Sequence, residues 1–186
     1  LGLGGALGVW SEGNAARPAA ALEEVASDWT VESGRIGITV TQFGNAVEGG
    51  FDDWTAAITF EPRDTPGVAG DVTVRVSIPS LTLGSVTEQA LGPDFLAAET
   101  HPTAVYAAEL RRAADGYEAH GTLTLAGAEV PVVLPFLLTL EGDTASATGR
   151  LTLDRRDFGI GDNMTDEQNL AFDVSVRVDL TATRAQ

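Results

Sequence analysis

The stretch Val72-Thr-Val-Arg-Val-Ser-Ile78 alternates apolar and polar side chains without a break. That is the period of a half-buried strand, with Val72, Val74, Val76 and Ile78 inward and Thr73, Arg75 and Ser77 toward water. Pro79 stops it. The same period recurs along the chain. Ile36, Ile38 and Val40 alternate with Gly37 and Thr39 in a first strand, Trp29 to Val40. Gly44-Asn45 supplies turn chemistry. A second strand region follows, Val47 to Phe60, in which Trp54, Ala56, Ile58 and Phe60 share one parity. Gly49-Gly50 inside it signals a bulge or tight bend. Val31 to Phe60 therefore reads as the first hairpin of a sheet, with Phe43, Phe51, Trp54 and Phe60 spread along it.

Residues 61–71 are a turn by composition. After residue 102 the strands resume. Ala104, Tyr106, Ala108 and Leu110 lie on one face, and Asp115-Gly116 marks a hairpin. Tyr117 to Ala126 pairs back with Leu123 and Leu125 inward. Val130 to Leu140, which contains Phe136, is apolar on both parities, so both faces are expected to be covered; its prolines predict an edge or bulged strand. Ala145 to Leu153 adds Leu151, and Leu170 to Thr183 closes the set with Phe172, Val174, Val176, Val178 and Leu180 inward. One segment breaks the rhythm. Residues 80–102 carry two one-turn helical pieces, Thr87 to Leu91 and Pro93 to Ala98, and an insertion of this kind between strands predicts a functional lid. Leu81, Leu83, Leu91, Phe95 and Leu96 would face whatever it covers.

The pattern gives about eight closely spaced strands, an all-β barrel or sandwich. A closed barrel of that size takes side chains or one small ligand in its interior. Ahead of it, residues 11–27 are an alanine-rich linker and residues 1–10, LGLGGALGVW, are apolar and glycine-rich. Ten residues fall short of the roughly 20 a bilayer-spanning helix needs. The expectation is the remnant of an export signal or membrane segment, with the domain proper at 28–183.

Charge narrows the function. Asp and Glu number 27 and the 11 basic residues are all arginine, for a net charge of −16 over 186 residues. Such a surface repels phosphate backbones, so no nucleic-acid partner is expected. There is no cysteine, which excludes disulfides and thiolate metal sites. His101 reads as a loop-capping residue and His120 as a solvated one. No zinc motif, nucleophile elbow or phosphate loop is present. The cluster Asp154, Asp157, Asp162, Asp166 and Glu167 does not fit a calcium loop and reads as a solvated acidic rim. No metal site and no enzyme activity are expected. Gln42, Arg155 and Arg156 remain as polar candidates for a ligand head group.

An ordered set of pieces resembles the YceI-like family over about residues 28–182. They are Phe43-Gly44, Val47-Glu-Gly-Gly-Phe51 with Trp54, Ile58-Thr-Phe60-Glu-Pro62, Asp94-Phe95-Leu96, His101-Pro102 with Tyr106, Gly121-Thr-Leu-Thr-Leu125, and Arg156-Asp-Phe158-Gly-Ile160. Two positions depart from the family pattern: Gln42 stands where a His is frequent, and Glu61 where an Asp is frequent. The Gln42 exchange resembles members found beside b-type membrane cytochromes. The resemblance implies an antiparallel up-and-down, lipocalin-like barrel, exported to the periplasm and in several members dimeric. Its apolar tunnel would bind a polyisoprenoid lipid, a quinone or a polyprenyl chain, for carriage or storage. The expected lining is Phe43, Phe51, Trp54, Ile58, Phe60, Val74 and Val76, then Leu81, Leu91, Phe95, Leu96 and Tyr106, then Leu123, Leu125, Phe136, Leu151, Phe158, Phe172 and Val174. The alternative expectation is a solid barrel without ligand, serving as an interaction domain for such a cytochrome.

Overall fold

A computed structural model describes residues 28–184, so the expected tail at 1–27 lies outside the described residues. Ten strands follow one another: β1 (Trp29–Gln42), β2 (Asn45–Phe51), β3 (Trp54–Phe60), β4 (Gly67–Ser77), β5 (Leu81–Thr82), β6 (Thr103–Ala113), β7 (Gly116–Leu125), β8 (Ala128–Glu141), β9 (Thr144–Asp154) and β10 (Asp173–Arg184). They form one antiparallel sheet in the order β3-β4-β6-β7-β8-β9-β10-β1-β2-β5, curled into a half-barrel. One α-helical turn, α1 (Thr87–Ala90), and the 3-10 turns Ile78–Ser80 and Arg155–Phe158 lie between strands.

There are ten strands rather than about eight for two reasons. The segment from residue 47 to 60 breaks at Asp52-Asp53, and Leu81–Thr82 adds a short strand inside the insertion. The break corrects the expected hairpin. β2 pairs with β1 and β5, whereas β3 pairs with β4, so at Asp52-Asp53 the chain crosses from β2, next to the edge strand β5, to the opposite edge of the sheet. Gly49 and Gly50 form no bulge; they pair regularly with Ile38 and Gly37. Their small size serves close approach instead. A Cβ on Gly49 would stand 2.1 Å from the Thr82 carbonyl oxygen, so only glycine lets β5 dock. The β1–β2 turn is Phe43-Gly44, both left-handed at φ 51° and 80°, the primed turn that suits a two-residue hairpin.

The curl brings β1 against β3. The Asp28 N–H donates to the Ile58 carbonyl at 2.7 Å, and the Trp29 indole N–H to the Phe60 carbonyl at 3.1 Å. The Trp54 ring lies over Gly34, 2.9 Å from where a Cβ would be. β8 is a central strand, but only partly. Its ladder with β7 runs from Phe136 back to Ala128, while its ladder with β9 stops at Phe136 opposite Gly149. Pro131 and Pro135 fall in the half that lacks a β9 partner, where a missing N–H is tolerated. The expected cover on both faces is corrected too: Val133 and Leu137 point outward, 48% and 71% exposed.

Two buried clusters fill the ends of the curl. Trp29, Phe60, Leu110, Tyr117 and Ala119 belong to one. Ile78, Leu81, Leu83, Leu96 and Ala104 belong to the other, beneath the insertion.

Candidate ligand cavity

The inward residues do not fill the curl. Two chambers of about 220 Å³ each remain, and they share Ile36, Val76, Leu123, Leu153 and Val176 in their walls. They therefore abut and extend along the strands. On β10, Val174 lines the outer chamber, Val176 both, and Val178, Leu180 and Ala182 the inner one. Eight residue steps at about 3.3 Å span ~26 Å of strand. The room comes from small side chains: Ala56, Ala119, Ala145, Ala147 and Gly149 face inward where bulkier residues would close the void.

The inner chamber is lined by apolar side chains. A chain of rings, Trp29–Phe60–Tyr117–Phe136, runs along one end of it, with centroids 6.4, 5.3 and 5.7 Å apart. Both tyrosine hydroxyls near it are turned into the protein. The Tyr106 hydroxyl lies 3.0 Å from the Ala119 carbonyl and 2.8 Å from the Val132 carbonyl, and burial pushes its pKa up to about 12. The Tyr117 hydroxyl donates to the Arg63 carbonyl at 3.2 Å. Neither hydroxyl is left to bond a guest in this chamber.

The outer chamber lies under two covering segments, residues 78–102 and the β9–β10 connection. They are tied together: the Gly161 N–H donates to the Asp94 carbonyl at 2.8 Å. The polar residues in its wall are Gln42, Gln89 and Arg155. Arg155 is 3% exposed, and all five of its N–H groups are occupied. Nε donates to the Ala171 carbonyl at 3.1 Å, Nη1 to those of Ile160 and Gly161 at 3.0 and 2.7 Å, and Nη2 to those of Met164 and Leu170 at 2.6 and 2.9 Å. Burial holds its pKa below the usual arginine range, against the carboxylates of Asp154, Asp162 and Glu167, with Arg156 adding to the depression. Arg156 is outside the wall. Its Nε donates to Asp154 at 2.9 Å and its guanidinium lies 3.8 Å from the Phe172 ring centroid.

Residues 29–182 match the YceI-like domain. The chain belongs to the YceI-like family. No curated protein matches it at the level of sequence. Among solved structures it is similar to Burkholderia cenocepacia BcnA at 26% identity and a TM-score of 0.74, over 81% of this chain and 96% of that one. It is also similar to a Campylobacter jejuni YceI protein at 20% identity and a TM-score of 0.66, over 74% of this chain and 85% of that one. A variant of that protein carrying a monobromobimane guest matches at 19% identity and the same TM-score and coverage. The YceI-like family is a binding-protein family.

Within this YceI-like fold the expected lining residues divide clearly. Trp54, Ile58, Phe60, Val74, Tyr106, Phe136 and Leu151 line the inner chamber, and Val76 and Leu123 line both. Phe51, Leu81, Phe95, Leu96, Leu125, Phe158 and Val174 line the outer one. Three do not line either. Phe43 sits on the β1–β2 turn, 64% exposed, because the two-residue hairpin carries it past the sheet's end. Leu91 packs against the cluster beneath the insertion. Phe172 precedes β10 and is covered by Arg156. As head-group donors, Arg155 is already saturated and Arg156 is paired; Gln42 stays in the wall. The apolar strand pattern does not single out Gln89 or the small residues of β9. The signal for the latter is the alternation Ala145, Ala147, Gly149, a period of 2 written in small residues. Among the described residues no group of three or more His, Asp or Glu side chains could hold a metal ion.

Proposed function

We propose that this YceI-like protein holds one long apolar chain, an isoprenoid of the quinone or polyprenyl class, for carriage or storage in the periplasm. The tail lies in the inner chamber against the Phe60–Tyr117 rings, and the head lies in the outer chamber beneath the two covering segments. The observation that carries this reading is the abutting pair of apolar chambers, with the Tyr106 and Tyr117 hydroxyls bonded to main-chain carbonyls and away from the void. A hydrocarbon chain gains about 0.8 kcal/mol for each methylene it buries there, and no polar partner is needed along its length. The chambers also weigh against the solid interaction barrel, which would fill that space with its own side chains. A b-type membrane cytochrome that exchanges quinone with the protein belongs to the proposal on the Gln42 resemblance alone.

The experiment is organic extraction of the purified protein followed by mass spectrometry, together with titration of the delipidated protein by decylubiquinone. Co-purified isoprenoid, or saturable quinone binding at one site, is the expected result. Neither an extracted lipid nor any binding of quinone would overturn the reading.

A further inference from the structure

The head group can be assigned a chemical class, given the chain-binding reading above. We infer that the outer chamber selects an uncharged head that forms hydrogen bonds, a carbonyl or a hydroxyl, and rejects anionic heads such as diphosphates and carboxylates. Three observations converge on this.

The first is what the mouth offers. Gln42 and Gln89 line the outer chamber, and neither side-chain amide is hydrogen-bonded to another described residue. Each amide presents both donors and an acceptor, and neither carries charge. Two such groups suit a neutral carbonyl or hydroxyl, which can accept from one amide and, if protonated, donate to the other.

The second is that the one cation in that wall is not free to bind an anion. Each N–H of Arg155 already points at a main-chain carbonyl of its own segment, from Ile160 to Ala171. A phosphate could take a donor only by stripping a carbonyl of its partner and leaving it buried and unsatisfied. Arg155 is also faced by the carboxylates of Asp154, Asp162 and Glu167, which offset its charge. Arg156 is engaged by Asp154.

The third is the surrounding field. The segments over the mouth carry Glu88, Asp94, Glu99, Asp157, Asp162, Asp166 and Glu167, and the chain as a whole carries −16. An anionic head would enter against this potential and lose its hydration in return for no free donor cation.

The test compares heads on one tail. Geranylgeraniol, geranylgeranyl diphosphate and palmitate, with decylubiquinone as a second neutral head, are titrated into the delipidated full chain below their micelle concentrations. The alcohol and the quinone are expected to bind at least about tenfold more tightly than the diphosphate and the carboxylate. The double variant Gln42→Leu, Gln89→Leu should weaken the alcohol by roughly three- to tenfold, the effect of one or two neutral hydrogen bonds. The headless hydrocarbon phytane should still bind the double variant, at least as tightly as the wild type, which separates loss of the head contact from loss of the fold. A diphosphate bound as tightly as the alcohol would overturn the head-group assignment and leave chain binding standing. An unchanged affinity of the double variant for the alcohol would overturn the role of the two amides. Failure of every ligand, phytane included, would overturn the chain-binding reading itself and this inference with it.

Discussion

Arg155 shows how one residue can look like a ligand contact in sequence and prove to be a structural tie. An arginine beside an acidic run suggests a phosphate contact. Its five bonds to carbonyls between Ile160 and Ala171 make it the post around which the β9–β10 connection is wound. Replacing it by Met keeps much of the apolar volume but leaves several buried carbonyls without donors. The Arg155→Met variant is expected to lose about 2–4 kcal/mol of stability in urea denaturation, with Arg155→Lys recovering part of it. Its neighbour Asp154 gives a pH signature. The Arg156 side-chain and backbone hydrogen bonds hold its carboxyl at about 2, well below the usual carboxylate range. A carboxyl depressed on folding stabilises the fold above its unfolded value, and that contribution disappears as pH falls through the folded value. The Asp154 contribution should therefore be complete above about pH 5 and vanish only at about pH 1. Comparison of wild type with Asp154→Asn by thermal unfolding across that window checks it: the difference should shrink toward zero at the acid end.

At the scale of elements, the glycines of β2 set the position of the insertion. A Cβ on Gly49 meets the Thr82 carbonyl oxygen and the Leu83 backbone, so Gly49→Ala forces β5 off the sheet edge. The expected cost is about 1–3 kcal/mol, in the range of overpacking substitutions. It should be accompanied by faster amide hydrogen exchange confined to residues 80–102, with β6–β9 unchanged. Sequence periodicity placed β4 and the cores of β1, β6, β7 and β10 well, because each buries one face and period 2 is then visible. It failed at two kinds of place. The crossing at Asp52-Asp53 carries no proline or glycine, so the pattern runs on as one strand where two lie at opposite ends of the sheet. In β8, apolar outward residues such as Leu137 erased the alternation, and the bare outer face could not be told from a covered one.

At the scale of the whole molecule, the fold was legible and the void only partly so. Parity says which residues face inward; whether they meet or leave room depends on summed volume across strands distant in sequence. Ala56 on β3, Ala119 on β7 and Ala147 on β9 make that room together. Filling it is a direct probe. Ala147→Phe places a ring in the inner chamber and should leave the thermal midpoint near or above that of the wild type. Each methylene it displaces weakens binding by about 0.8 kcal/mol, so three displaced methylenes lower affinity for a long chain by well over tenfold. Short chains that stop in the outer chamber should be little affected. The central claim is that a long apolar chain runs through both chambers with its tail at the Trp29–Phe60–Tyr117 end. A crystal structure of the protein loaded with a long-tailed isoprenoid quinone tests this most directly. The account predicts continuous elongated density from the Trp29–Phe60–Tyr117 end to the mouth at Gln42 and Gln89. Quinone found only on the outer surface, with both chambers empty at saturating ligand, would contradict it.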